Sequence, residues 1–443
     1  MQIIQIILAL SILVLIHELG HYTFARIFGI RIDKFFLFFD AAGIKLFSTK
    51  SKWFVKICPK AAQWETEYGI GWLPLGGYCK VNGMIDESMD TEHLKNEPQP
   101  WEFRSKPAWQ RLLVMVGGVL FNFILGIMLF SFSLFKWGEA YIPAENNPIY
   151  IYEEHRLAEE MGFKTGDIIL SLDSEVPEDF YGIQIDMARN MVNTVTVLRG
   201  KDTLDIYIDQ KYISDLLQSQ IFEPAVPFII KDINENSLNT ERGLMPGDKI
   251  TAIDSIPIMC VQEARHILSK KTGQEIKASV IRDNSALTLP LTVDNNGNIG
   301  VILEDLNIKR VSYSFLESIP AGFKKAYEAT IGQLKDMRLL AQPSTGAYKS
   351  VGSIIAITDA MPEKWNWPAF IHILAMISII LGVMNLLPIP ALDGGHIVFT
   401  LYEMISGRKP SDKFLYVMQL IGMILIFGLM FLAFGNDIAR LLK

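Results

Sequence analysis

A histidine–glutamate motif inside an apolar helix constrains this chain more than any other feature. The motif HELGH occupies residues 17–21 and follows the apolar run of residues 3–16, in which only two side chains are polar. On a helix, His17 and His21 lie one turn apart on the same face, where two imidazoles can bind one metal ion. Glu18 then lies beside the open coordination position, as a base for a bound water. Ionisable side chains are costly in a bilayer, so the motif indicates a functional site within a membrane.

The composition fits a membrane protein with a soluble part. Half of the 443 residues are hydrophobic and 20% are charged, a smaller charged share than soluble domains usually have. The net charge of −7 gives no indication of a nucleic-acid partner. A less specific explanation of HELGH remains: a helix end whose histidines bond to backbone carbonyls or interfacial water. A second half of the metal site would distinguish the two.

Four apolar segments are long enough to span a bilayer. They are predicted over residues 1–24, 112–136 and 370–396, and within the final region 397–443. Basic clusters around Arg26, Arg104 and Arg408 are placed in the cytoplasm by the positive-inside rule, so both termini and the long segment between the second and third spans lie outside. Because residues 3–16 rise about 21 Å, His17 is predicted beyond the bilayer midplane, nearer the cytoplasmic face.

Residues 25–111 are predicted to form a β and loop region on the cytoplasmic side. The runs 35–39 and 43–47 are typical of two short strands around a turn at 40–43, and the glycine-rich stretch 69–78 cannot be an ordinary helix. These pieces could form a soluble sheet in the cytosol. Alternatively they re-enter the membrane along a protein-lined cavity, where irregular backbone is tolerated.

The segment between the second and third spans contains an internal repeat. Residues 162–173 match residues 243–254, with G-x-x-x-G-D-x-I in both copies. This core resembles that of PDZ domains, so residues 137–222 and 223–306 are predicted to be two extracytoplasmic α+β PDZ-like domains in tandem. A pair of other small β-rich domains is the alternative. PDZ domains bind extended chain ends by adding a strand to the edge of a sheet.

Residues 307–369 are predicted to be an amphipathic helical linker. An apolar stripe recurs along it at helical spacing, formed by Phe315, Ile319, Phe323, Tyr327, Ile331 and Leu334. The stripe could pack on the second PDZ-like domain, lie on the outer leaflet, or gate access between the spans.

The third apolar segment ends in a candidate second half of the metal site. A catalytic zinc ion usually takes three protein ligands and leaves one position for water. Asp393 lies at the cytoplasmic end of this segment, after two prolines and before Gly394 and Gly395, at the depth predicted for the two histidines. His396 is the alternative third ligand.

Together these features resemble the site-2 protease family of intramembrane zinc proteases, in its bacterial regulator-of-sigma-E protease branch. The resemblance covers nearly the whole chain, from HExxH through the PLGGY segment and the tandem repeats to N-x-x-P-x-x-x-L-D-G-G. It implies a zinc ion held by His17, His21 and Asp393, with Glu18 as the catalytic base. It also implies that Asn385 contacts the substrate.

The resemblance further implies a way of binding substrate. Gly76 and Gly77 of the PLGGY segment are predicted to bind substrate, with the strand-like pieces holding an unwound helix extended. Two departures from the family pattern are Gly118, where many relatives carry proline, and the stretch 40–68, which is longer than the family's hairpin.

The expected protein has a four-helix transmembrane α core, a membrane-associated β-hairpin and loop region, and two PDZ-like domains. It is expected in the bacterial inner membrane, with the PDZ-like domains in the periplasm, as a monomer in contact with lipid. The implied substrates are single-span membrane proteins, namely anti-sigma factors and signal-peptide remnants, cut in regulated intramembrane proteolysis during stress responses, with the PDZ domains as a filter. A non-enzymatic PDZ scaffold and a metal transporter are the alternatives. The scaffold would leave HELGH and LDGG dispensable, whereas the transporter needs polar residues along several spans.

Overall fold

The first helix, α1 (Gln2–Ile27), carries the HELGH motif in its second half. It is one of four helices, among the residues that the structure describes, that are long and apolar enough to cross a membrane. The computed structural model describes residues 1–84, 97–152, 156–235 and 237–442. The chain divides into a first unit, Met1–Gly138, Ser312–Met337 and Val351–Lys443, and a second unit, Glu139–Val311 and Arg338–Ser350.

The elements follow one another in three stretches. The first comprises α1, β1 (Ile32–Phe39), β2 (Lys45–Ser48), α2 (Lys52–Ile57), β3 (Glu67–Gly71), β4 (Leu73–Val81) and α3 (Ala108–Trp137). The second comprises β5 (Glu139–Tyr141), β6 (Ile149–Ile151), α4 (Leu157–Glu160), β7 (Ile168–Leu172), α5 (Ile183–Arg189), β8 (Thr194–Arg199), β9 (Asp202–Tyr207), α6 (Ile213–Gln218), β10 (Phe222–Pro224), β11 (Ile230–Ile233), β12 (Lys249–Ile253), β13 (Ile256–Pro257), α7 (Val261–Ser269), β14 (Glu275–Arg282), β15 (Ser285–Thr292), β16 (Val301–Leu303) and β17 (Lys309–Val311). The third comprises α8 (Phe315–Leu340), α9 (Ile354–Ala360), α10 (Trp367–Asn385), α11 (Asp393–Ser406) and α12 (Asp412–Leu441).

The β and loop region forms a four-stranded sheet in the order β2-β3-β1-β4. Both predicted aromatic strands form, but they are not the two strands of a hairpin, because β3 lies between them and pairs with each. The glycines of β3 explain the difference. A side chain at Gly69 would overlap the ring of Phe36, and one at Gly71 would overlap the backbone of Phe39. The glycines therefore leave room for the aromatic strand β1 beside β3.

This sheet lies alongside α1 rather than beyond its end. The rings of Tyr22 and Phe35 are 5.4 Å apart, and a Cβ on Gly77 would lie 2.9 Å from the side chain of Val14. The sheet thus extends along the stretch of α1 that contains the motif.

Glycines let the apolar helices α1, α3 and α10 approach closely. Gly20 of α1 and Gly117 of α3 meet backbone to backbone, so that a Cβ on either would overlap the other helix. Gly126 of α3 leaves room for the side chain of Ile379 of α10. Small residues at such contacts are typical of helices that associate within a membrane.

The apolar stripe of α8 faces outward. Phe315, Phe323 and Tyr327 are between 60% and 62% exposed, whereas small residues at the border of the stripe contact α3. There, Gly322 lies against Ser131, and Ala326 is buried. Of the stripe itself, Phe315 also contacts α3, with its ring centroid 5.7 Å from that of Phe135.

The second unit contains the two repeats as similar structures. Each has a sheet, a short helix and its own buried core. In the first repeat (residues 139–224) Arg199 donates two hydrogen bonds to the buried Asp167, at 2.7 and 2.8 Å. In the second repeat (residues 228–303) Arg282 makes the same pair of bonds to Asp248, at 2.7 and 2.8 Å. The aspartate of the repeated G-D dipeptide thus has the same role in both copies.

Two of the predicted boundaries fall differently in the structure. The segment predicted as one span over 370–396 consists of α10, a turn at residues 386–392, and the beginning of α11. The predicted linker 307–369 is also divided, because Leu339 and Ala347 lie in the core of the first repeat.

Candidate metal centre

The two motif histidines and Asp393 converge on one point. His17 and His21 are one turn apart on α1, and Asp393 is the first residue of α11. The Oδ2 atom of Asp393 lies 3.3 Å from Nε2 of His17 and 3.4 Å from Nε2 of His21. The two Nε2 atoms are 3.3 Å apart. Among the described residues, this is the group of His, Cys, Asp and Glu side chains that could hold a metal ion.

These separations fit zinc. Zinc bonds of about 2.0–2.1 Å in tetrahedral geometry place neighbouring ligand atoms about 3.3–3.4 Å apart. The three ligand atoms of His17, His21 and Asp393 match that spacing. In addition, Oδ2 of Asp393 is buried without a hydrogen-bond partner, a cost that a cation at this point removes. The donor set of two imidazoles and one carboxylate is typical of catalytic zinc sites.

The backbone around Asp393 explains the surrounding LDGG sequence. After α10 ends, the chain turns sharply, with Ala391 at a φ of 82°. Gly394 and Gly395 then pack against the carbonyls of Leu387 and Ile389, where a Cβ would overlap the turn. The two glycines therefore allow α11 to begin directly against the turn and to present Asp393 at its first residue.

Helix α3 holds the second nitrogen of each histidine. Nδ1 of His21 lies 2.9 Å from the carbonyl oxygen of Val114, an acceptor that keeps the proton on Nδ1 and leaves Nε2 free for a metal. Nδ1 of His17 lies 3.2 Å from the side-chain amide of Asn122. The Oδ1 atom of Asn122 is buried without a partner, so a half-turn of the amide presents it to a proton on His17 Nδ1.

Asn122 had no assigned role from the sequence, although a lone amide in an apolar span was a signal. Gly118 also belongs to this wall. A Cβ on it would lie 2.5 Å from Nε2 of His21, so in this chain the backbone of α3 lies directly against that imidazole.

A cavity of about 460 Å³ opens onto this centre. Glu18 lines it beside the two histidines, and so do residues 77–81 of β4. Lys34, Asp40, Tyr78 and Gln419 also line it, and the sequence reasoning assigned them no role. Lys34 forms an ion pair with Asp40 at 3.1 Å, and Tyr78 donates to Asp40 at 2.8 Å. The cavity wall therefore carries a compensated charge pair close to Glu18.

The other predicted site residues lie at different distances from the centre. His396 lines the cavity but is outside the three-residue group. Gly77 lines the cavity as well, and the structure gives it a packing reason, since a Cβ would meet Phe36 and Val14. Gly76 lies against the ring of Phe39. Gly76 and Asn385, the last residue of α10, are not among the cavity-lining residues.

Comparison with known proteins gives one consistent result. The family model described as peptidase family M50 matches residues 5–429. The regulator of sigma-E protease of Salmonella typhimurium is 27% identical over 464 residues, covering 98% of each chain. A protein of Neisseria meningitidis named "putative zinc metalloprotease" is 27% identical over 471 residues, covering 99% of each chain. The regulator of sigma E protease of Haemophilus influenzae is 27% identical over 463 residues, covering 98% of each chain.

Proposed function

Because this chain belongs to peptidase family M50 and is a zinc metalloprotease, we propose that it hydrolyses peptide bonds within the transmembrane segments of single-span membrane proteins. The observation that supports this is the position of the metal centre. His17, Glu18 and His21 lie in a helix long and apolar enough to cross a membrane, and Asp393 meets them there. An enzyme that cut only soluble substrates would have no need of an apolar helix around its catalytic group.

The proposed mechanism assigns one role to each residue. His17, His21 and Asp393 would hold the zinc ion, which when bound would supply Lewis-acid polarisation of a carbonyl and a lowered pKa for water. Glu18 accepts the proton of the attacking water at its carboxylate and then donates it to the leaving amine. The partners on α3 keep the imidazoles oriented throughout.

A substrate helix must unwind before cleavage, because its amides are occupied by their own hydrogen bonds. The strand β4 is suited to hold the unwound chain. It has β1 as its strand neighbour in the described sheet, and its residues 77–81 line the cavity. Pairing of substrate along this edge would present its backbone to Glu18. Gly76 and Gly77 belong to this strand, and Asn385 is proposed to contact the substrate backbone.

We propose that the two repeats are PDZ domains on the periplasmic side of the bacterial inner membrane, where they filter substrates. Their repeated G-x-x-x-G-D-x-I core and their equivalent aspartate–arginine pairs support a common fold. The Salmonella relative is named as a regulator of sigma E. Anti-sigma factors and signal-peptide remnants are therefore the substrates to test first.

The test compares four forms of the full-length protein in detergent. Wild type, Glu18→Gln, Asp393→Asn and the exposed control Glu145→Gln are assayed for bound zinc and for cleavage of a tagged single-span substrate. We expect Glu18→Gln to keep zinc and lose at least a thousandfold in cleavage, because it removes the proton acceptor. Asp393→Asn is expected to lose zinc, and the control to match wild type.

Two results would contradict the proposal. Equal cleavage by wild type and Glu18→Gln would favour a scaffold or a metal transporter as the role of this site. Full zinc and activity in Asp393→Asn would reassign the third ligand, and His396→Ala would then be expected to lose zinc.

A further inference from the structure

A lysine-rich segment comprises β2 and most of the connection from β2 to β3. Residues 44–64, the lysine-rich segment, contain five lysines and no aspartate or glutamate, in a chain whose net charge is −7. The segment includes α2 (Lys52–Ile57). It contributes no side chain to the cavity at the metal centre. Its concentration of positive charge therefore calls for a separate explanation.

The segment is held level with the end of α1 that carries Arg26. Directly before α2, the amide of Thr49 donates to the carbonyl of Tyr68 at 2.9 Å, and the hydroxyl of Tyr68 lies 2.6 Å from that of Tyr22. Directly after the segment, Glu65 pairs with Arg26 at 3.2 Å. Since Arg26 lies in the last turn of a membrane-length helix, these contacts place the segment where the apolar core of a bilayer gives way to headgroups.

The exposed side chains of α2 are of two kinds. Trp53 is 55% exposed and Ile57, one turn later, is 74% exposed. Lys52 and Lys56, also one turn apart, are exposed beside them. On the inner side, Phe54 packs edge to face on Phe47 of β2 with ring centroids 5.3 Å apart, which orients the helix. An exposed aromatic and aliphatic face flanked by lysines is typical of an interfacial helix.

Three of the five lysines can form an ion pair with an anionic partner outside the chain. Lys45 pairs with Glu67, and Lys50 donates to the carbonyls of Ala61 and Ala62, so both have internal contacts. Within the described ranges, no acidic side chain forms an ion pair with Lys52, Lys56 or Lys60, which are exposed. Water would satisfy the lysines but not Trp53 and Ile57. A surface with anionic groups over an apolar layer would pair with the lysines and also bury Trp53 and Ile57.

We propose that the lysine-rich segment binds the anionic phospholipid headgroups of the leaflet at the Arg26 end of α1. Trp53 and Ile57 then insert between the lipid acyl chains. The segment begins in β2, the edge strand opposite β4 in the four-stranded sheet. Lipid binding there anchors the far edge of the sheet whose other edge lines the cavity. A lysine near an anionic surface contributes roughly a fivefold increase in binding.

The test uses the full-length protein with Lys52→Gln, Lys56→Gln and Lys60→Gln combined. Its matched control replaces three exposed lysines of the second unit by Gln: Lys201 of the first repeat, and Lys249 and Lys277 of the second. Native mass spectrometry measures the affinity of each form for dioleoylphosphatidylglycerol and dioleoylphosphatidylcholine in detergent. We expect at least tenfold weaker phosphatidylglycerol binding for the first variant, and no change for the control or for phosphatidylcholine.

Further arms keep the test decisive. Replacement of the same three lysines by arginine preserves charge, so it is expected to preserve phosphatidylglycerol binding. For the wild-type protein, 0.5 M salt is expected to weaken phosphatidylglycerol binding. Unchanged zinc content of the glutamine variant confirms that the metal centre is intact. Equal phosphatidylglycerol binding by wild type and the glutamine variant would overturn the proposal. Lipid binding is measured without cleavage, so this result is independent of the proposed function.

Discussion

At the scale of single residues, the two ring nitrogens of each motif histidine make different contacts. One nitrogen points at Asp393, and the other contacts α3, through Val114 for His21 and Asn122 for His17. The convergence of His17, His21 and Asp393 could be predicted from the sequence because HExxH and LDGG are local patterns with a known chemical purpose. Asn122 could not, because its importance depends on which face of α3 meets α1. That is a tertiary property.

A substitution at Asn122 tests this contact. We expect Asn122→Leu to weaken zinc binding by about 10–100-fold, because His17 loses the partner that orients its ring. Competition with a chromophoric chelator measures the affinity. Ser378→Ala is the control, since the hydroxyl of Ser378 donates to the backbone carbonyl of Asn122 and not to its side-chain amide. Wild-type zinc affinity in Asn122→Leu would show that the packing of α1 alone orients His17.

At the scale of elements, the spans were predictable and the sheet was not. The spans follow from long apolar runs, which have one stable solution in a membrane. The sheet order depends on where Gly69 and Gly71 make room for β1, and strand adjacency of this kind is not visible in local pattern. The contact of α8 was not predictable for a related reason. Its apolar stripe left several partners open, whereas Gly322 and Ala326, together with the ring of Phe315, make the contact with α3.

The contact between α1 and α3 leads to a prediction about the metal centre. We expect Gly20→Ala to lower zinc affinity at least tenfold, because its Cβ would overlap Gly117 and force apart the two helices that hold and orient His17 and His21. Gly428→Ala in α12 is the matched control, since no atom lies within 4 Å of a Cβ there. Zinc content and thermal stability of both variants in detergent are the measurements. Equal behaviour of the two variants would show that the helices can separate without cost.

At the scale of the whole molecule, the chain consists of two units with separate sources of stability. The first is held by apolar helices around the metal centre, and the second by the buried cores of the repeats. The repeat was visible in the sequence because the same turn and the same buried aspartate occur twice. That residues 338–350 belong to the second unit was not visible in the sequence. Their place there depends on two side chains, Leu339 and Ala347, that enter the core of the first repeat.

This separation predicts a pH-dependent effect confined to one unit. Burial alone would raise the pKa of Asp248, but the hydrogen bonds from Arg282 hold that pKa below its ordinary value of 3.8. The stabilisation is therefore complete well above pH 4 and is lost as the pH falls through the lowered pKa. At pH 7 we expect Asp248→Asn to destabilise the second unit by about 1.5–3 kcal/mol.

Hydrogen exchange followed by mass spectrometry measures this effect on peptides of the second repeat. The difference between wild type and Asp248→Asn is expected to shrink as the pH falls below 4, and to vanish below the lowered pKa, where the folded wild-type carboxyl also becomes neutral. Zinc content is expected to stay constant at neutral pH, because the metal centre lies in the other unit. Loss of zinc in Asp248→Asn would show that the two units are coupled.

The backbone contact between Gly20 and Gly117 also has a genetic consequence. Every single-nucleotide change of a glycine codon that alters the amino acid adds a side chain, and at these two positions even one methyl group would overlap the neighbouring helix. No amino-acid substitution at either position is therefore expected to be neutral. In a saturation mutagenesis screen for activity, both should reject every substitution, whereas Gly428 and Gly435, which have open space around them, should accept many.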